Sequence, residues 1–161
     1  MKTRLFAIVA LIILVAIGCS SNDNPAAPAD DGSGDNNGNG ASGLTLSGCE
    51  SNTFNNMGVT VFLDSNWVEI NIADASGKHG VMLTSENITI GTYTFPNQYN
   101  GVYSDADANK IYDFYEGTIT ITSISSNSVK GTFTAKGYLF DVNTMQYDST
   151  KVLNLTGNIS K

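Results

Sequence analysis

From Leu44 to the C-terminus, apolar and polar residues alternate with a period of two, the signature of half-buried strands. Val59, Val61 and Leu63 alternate with Thr60 and Phe62. After the turn tripeptide Asp64-Ser65-Asn66, Val68, Ile70 and Ile72 alternate with Trp67, Glu69 and Asn71, which predicts a hairpin. A second turn, Ala73 to Lys78, leads to Val81 and Leu83. Ile88 to Ile90 runs into Gly91 and the aromatic pair Tyr93 and Phe95. Ile119 and Ile121 alternate with Thr118, Thr120 and Thr122. Ser125 to Ser128 then turns the chain towards Val129, Phe133 and Ala135, and Val152 to Ile159 supplies a last strand carrying Leu153 and Leu155. No segment of this region carries a helical stripe. The pattern predicts an all-β domain, an antiparallel β-sandwich or squat barrel of about eight or nine strands.

The N-terminus follows a different rule. Met1 to Arg4 is short and cationic, and Leu5 to Ile17 is an unbroken apolar run of 13 residues. A spanning helix needs about 20 such residues, so the run predicts the core of a secretory signal. It ends Ala16-Ile17-Gly18-Cys19, small residues before a cysteine, as in a bacterial lipobox. Residues 1–18 are then a lipoprotein signal peptide and Cys19 the lipid-attachment site. Residues 19–43 form a linker: Ser20 to Gly43 contains no Leu, Ile, Val, Phe, Tyr or Trp, which predicts a disordered tether with a root-mean-square reach of about 27 Å. Ser20 rather than Asp after the cysteine points to the outer membrane, on its periplasmic or cell-surface face. Residues 44–161 remain for the β domain.

Composition narrows the function. The 161 residues carry a net charge of −7, and Arg4, in the signal segment, is the sole arginine, so the clustered cations that nucleic acids require are missing. Two cysteines and one histidine cannot build a zinc site. With Cys19 acylated, Cys49 has no cysteine in the chain to pair with.

Three constellations carry candidate chemistry. Asp105-Ala106-Asp107-Ala108-Asn109-Lys110-Ile111-Tyr112-Asp113-Phe114-Tyr115-Glu116 places oxygens of Asp105, Asp107, Asn109, Ile111 (through its carbonyl), Asp113 and Glu116 at calcium-loop spacing. Lys110 stands where the pattern wants glycine; the alternative is a plain hairpin tip, with Tyr112 and Phe114 facing the sheet. The aromatics between Tyr93 and Tyr115, with Trp67, offer a sugar-stacking platform in which Trp67, Tyr99 and Tyr103 are the candidate contacts, although alternation turns about half of them inward. Cys49 and His79 are a formal nucleophile–base pair without any protease signature around them, and the many acids make some carboxylate pair inevitable.

The stretch YDFYEGTITITSISSNSVKGTFTAKGYLF from Tyr112, and the closing VLNLTGNIS, resemble the small β-rich lipoproteins of Bacteroidota-type bacteria, most of them domains of unknown function. The resemblance implies an envelope-anchored β domain and brings no catalytic residues. The expected function is a cell-envelope lipoprotein whose non-catalytic domain, held to the membrane by its lipid, serves an interaction or structural role. It presents a surface to a protein or envelope partner, a glycan being the other candidate partner. The alternative is a ligand-binding module for Ca²⁺ or glycan around residues 99–116, and a hydrolase is a distant third.

Overall fold

The computed structural model describes residues 42–86 and 89–161. The expected signal peptide, Cys19, all but the last two residues of the linker, and Ile88 lie outside them. Nine strands follow one another: β1 (Ser42–Gly48), β2 (Asn52–Asp64), β3 (Trp67–Ala73), β4 (His79–Ser85), β5 (Gly91–Phe95), β6 (Asn100–Asp105), β7 (Lys110–Ser125), β8 (Ser128–Asp141) and β9 (Gln146–Ser160). The first begins at Ser42, two residues before the expected domain boundary.

Every pairing is antiparallel. The order β7-β6-β4-β3-β2-β1-β9-β8 returns to β7 and closes an eight-stranded barrel, with β5 as the extra strand. Of the two expected architectures the barrel is therefore the one formed. The long β7 makes the arrangement work. One of its edges pairs with β8 throughout, while the other is shared, Lys110–Asp113 by β6 and Gly117–Ile121 by β5. At the handover the chain bulges around Tyr115 and continues through Gly117 at φ +138°. A Cβ there would lie 2.1 Å from the Thr134 carbonyl oxygen, so only glycine fits this bend.

Alternation sorts the side chains. Val68, Ile70, Ile72, Leu83, Ile119, Ile121, Leu153 and Leu155 point inward and are buried. Tyr99, Tyr103, Tyr112 and Phe114 join them in the same core. Eight strands enclose a space that side chains can just fill, and these residues form one buried cluster within it. Because neighbours run up and down, the β1–β2, β3–β4, β6–β7 and β8–β9 turns gather at one mouth of the barrel. Ser42 and Lys161 lie at the other, where the Ser42 hydroxyl and the backbone of Ser160 exchange hydrogen bonds.

Candidate functional site

The densest polar chemistry sits at the mouth formed by those four turns. The β1–β2 turn reaches across it: the Glu50 carboxylate accepts hydrogen bonds from the Tyr112 hydroxyl at 2.6 Å and from the Lys110 ammonium. The Cys49 thiol, exposed, donates to the Tyr112 oxygen at 3.5 Å. Beside them His79 opens β4. Its Nδ1 lies 3.2 Å from the Tyr103 hydroxyl and 3.7 Å from Asp105, and its ring rests 4.7 Å from Phe54. The β3–β4 turn is held by Asp74, which accepts from the backbone N–H groups of Lys78 and His79 and from the Ser76 hydroxyl. Burial works against the Asp74 charge, but these donors prevail and hold its carboxyl below the usual range.

Burial also dominates the tyrosines beneath the mouth. It pushes the Tyr103 hydroxyl well up, helped by the charges of Asp105, Glu50 and Asp74. Tyr112 is raised by burial first, then by its bonds to Glu50 and Cys49. Lys110 is raised chiefly by its bond to Glu50. Each acid of this cluster therefore already has a donor, so it is a closed network of internal pairs. Cys49 and His79 do not form the nucleophile–base couple, since the thiol turns to Tyr112 and the imidazole to Tyr103 and Asp105.

The calcium-spaced residues are dispersed, which corrects that expectation. Asp105 pairs with Lys110 across a tight hairpin, and its carboxylate accepts from the Ala108 N–H. Asp107 bridges to Lys78, Asp113 accepts from the Tyr147 hydroxyl, and Glu116 bridges to Lys136. Ile111, Asp113 and Glu116 lie along β7, where each residue advances about 3.3 Å, so Glu116 is carried far from the tip holding Asp105, Asp107 and Asn109. No group of three or more His, Cys, Asp or Glu side chains suited to a metal occurs among the described residues. The segment is a hairpin tip, with Tyr112 and Phe114 facing the core.

The aromatic platform is corrected as well. Tyr99 is 0 % and Tyr103 1 % exposed, both being core residues, and Trp67 alone of the three reaches solvent. The apolar interior of the barrel outweighed any surface role, as it does for most aromatics on alternating strands.

A different feature went unread in the sequence. On the outer wall, strand register lines up Thr53, Thr45, Thr156, Thr134, Thr118 and Thr94 across β2, β1, β9, β8, β7 and β5, all exposed. One step towards the opposite mouth, Gly43, Asn158, Thr132, Thr120 and Thr92 form a parallel row. Over β8, β9, β1 and β2 this wall holds a shallow, open groove of about 370 Å³ with no charged residue in its lining. Thr118, Thr120 and Thr122 could have hinted at it; the other strands' contributions depend on register, which no local pattern displays.

Comparison of the chain with protein-family models, with curated proteins and with solved structures gave no match.

Proposed function

We propose that the chain is a bacterial envelope lipoprotein, anchored to the outer membrane through Cys19, whose barrel is a non-catalytic module that meets its partner with its outer wall. One observation carries the module reading: the interior is occupied by Tyr99, Tyr103, Tyr112, Phe114 and their aliphatic neighbours, leaving recognition to the outside. The internally paired mouth cluster supports the same reading, because its acids hold Lys110, Tyr112 and Lys78 rather than standing ready for a substrate. The lipobox-like ending at Cys19 supports the anchor.

The test is metabolic labelling with palmitate in a diderm bacterium expressing the full chain, followed by membrane fractionation. Labelled protein in the outer-membrane fraction, and an unlabelled soluble Cys19→Ala variant, is the expected result. An unlabelled wild-type chain, or an alanine variant that still carries label, would refute the anchor.

A further inference from the structure

We infer that the groove over β8, β9, β1 and β2 is a binding site for a neutral polysaccharide. This inference rests on the reading of the barrel as a binding module and adds the class of ligand.

Charge is the first argument. The chain carries a net −7, yet the groove lining contains only Thr, Asn, Gly, Leu and Phe. A cationic ligand finds no carboxylate there, and an anionic one finds no base and a repelling net charge. What the lining offers is hydroxyls and carboxamides. A threonine hydroxyl both donates and accepts, and an asparagine carboxamide does the same through two atoms. Sugar hydroxyls have that dual character. The hydroxyls of Thr45, Thr53, Thr132 and Thr156 make no hydrogen bond to protein among the described residues, so all four are available to a ligand. Their methyl groups present small apolar patches to the C–H faces of a sugar ring.

Shape is the second argument. Binding sites run from about 300 to 1,000 Å³, and the groove lies within that range while staying open to solvent, as a long chain requires. Gly43 lies in its lining, and a Cβ at that position would crowd the Asn158 Oδ1 at 3.1 Å and the Phe54 carbonyl oxygen at 3.2 Å. The threonines repeat about every 4.8 Å across the strands and about every 6.7 Å along them, so a polymer that repeats its own hydroxyls meets the same partners again. An extended peptide adding itself as a strand is ruled out here. β1, β8 and β9 are hydrogen-bonded on both edges, which leaves it no ladder to join.

The experiment is affinity electrophoresis of the full-length protein through gels containing dextran, mannan, xyloglucan or, as an anionic control, alginate. The expected result is retardation by at least one neutral polymer and none by alginate. The double variant T45V/T156V keeps side-chain shape and removes two hydroxyls, and should weaken retardation about tenfold. T132K, which places a charge in the groove, should weaken it as well. Thermal melting of each variant serves as the folding control. Retardation by alginate alone, by no polymer, or undiminished in both folded variants would overturn the inference, while the non-catalytic reading would stand. Shortening of a polymer after incubation would instead overturn that underlying reading.

Discussion

The core contains a contact that can be tested against its own arithmetic. Gly101 on β6 is buried at the foot of the Phe114 ring, which also meets Phe95 edge-on at 5.4 Å. A Cβ at position 101 would lie 2.3 and 2.8 Å from two Phe114 ring carbons and 3.1 Å from a Leu83 methyl. Overfilling a close-packed interior costs about 1–3 kcal/mol. Alanine recovers about 0.4–1 kcal/mol by restricting the unfolded chain. Gly101→Ala should therefore destabilise by about 1–2 kcal/mol, the difference of these two effects. Phe114→Ala should cost about 3–5 kcal/mol, a large part of the total for a domain of this size. In the double variant the new methyl enters space the ring has vacated, so its cost should fall about 1–2 kcal/mol below the sum of the singles. Urea unfolding followed by Trp67 fluorescence and by circular dichroism gives all four corners of the cycle, with coincident curves as the two-state check. Phe114→Leu closes a second cycle where the alanine variant does not fold. Additivity within about 0.5 kcal/mol would show that Gly101 is not there to admit the ring.

Two further outcomes are expected. Glu50→Gln keeps the side chain's shape but loses the charge that Lys110 and Tyr112 address, and should cost about 1–2 kcal/mol. Tyr112→Phe should remove part of the same bond, so the pair must be less than additive in urea unfolding; full additivity would contradict the network. At high pH the buried tyrosines should govern stability. Burial pushes Tyr99 up to about 12 and moves Tyr103 and Tyr112 upward too, whereas an unfolded tyrosine titrates near 10. The unfolded chain releases these protons first. Their contribution to stability is thus complete below pH about 10 and falls between pH about 10 and 12, by about 1.4 kcal/mol per pH unit for each tyrosine. Phenolate absorbance and near-ultraviolet dichroism should change together in that window; ionisation of all seven tyrosines before any loss of tertiary signal would contradict it.

Much of the barrel can be read locally. The β2–β3 hairpin, the turn before β4 and the alternation of β7 follow from residues close in sequence, because a two-residue period and a polar turn are local properties. β6 is harder to read. Asn100–Asp105 holds three consecutive buried residues, Gly101, Val102 and Tyr103, which between them face both sides of the sheet, so alternation is lost. Barrel and sandwich could not be separated beforehand, since closure depends on β1 meeting β9 and β7 meeting β8, and the first of these joins the two ends of the domain. The expected sites failed for related reasons. Calcium-loop spacing presumes a compact loop, and β7 stretches its second half into a strand. Aromatic density looks the same whether rings face water or core, and the burial of Tyr99 and Tyr103 decides it.

Closure and filling together are the reason the proposed recognition surface is placed on the wall. A barrel of eight strands has room for side chains or for one small ligand, and aromatic residues already occupy that room. Opening a cavity would mean replacing rings such as Phe114 at about 3–5 kcal/mol each, more than a marginally stable domain tolerates twice. Closure also removes the free edges along most of the barrel that would otherwise recruit a partner strand. What remains is the outward half of each strand, where a threonine can be exchanged at a cost of about 0.5 kcal/mol or less. Outward residues of such a wall can change without disturbing what keeps it folded, and the same separation lets T45V/T156V test the proposed binding without unfolding the barrel.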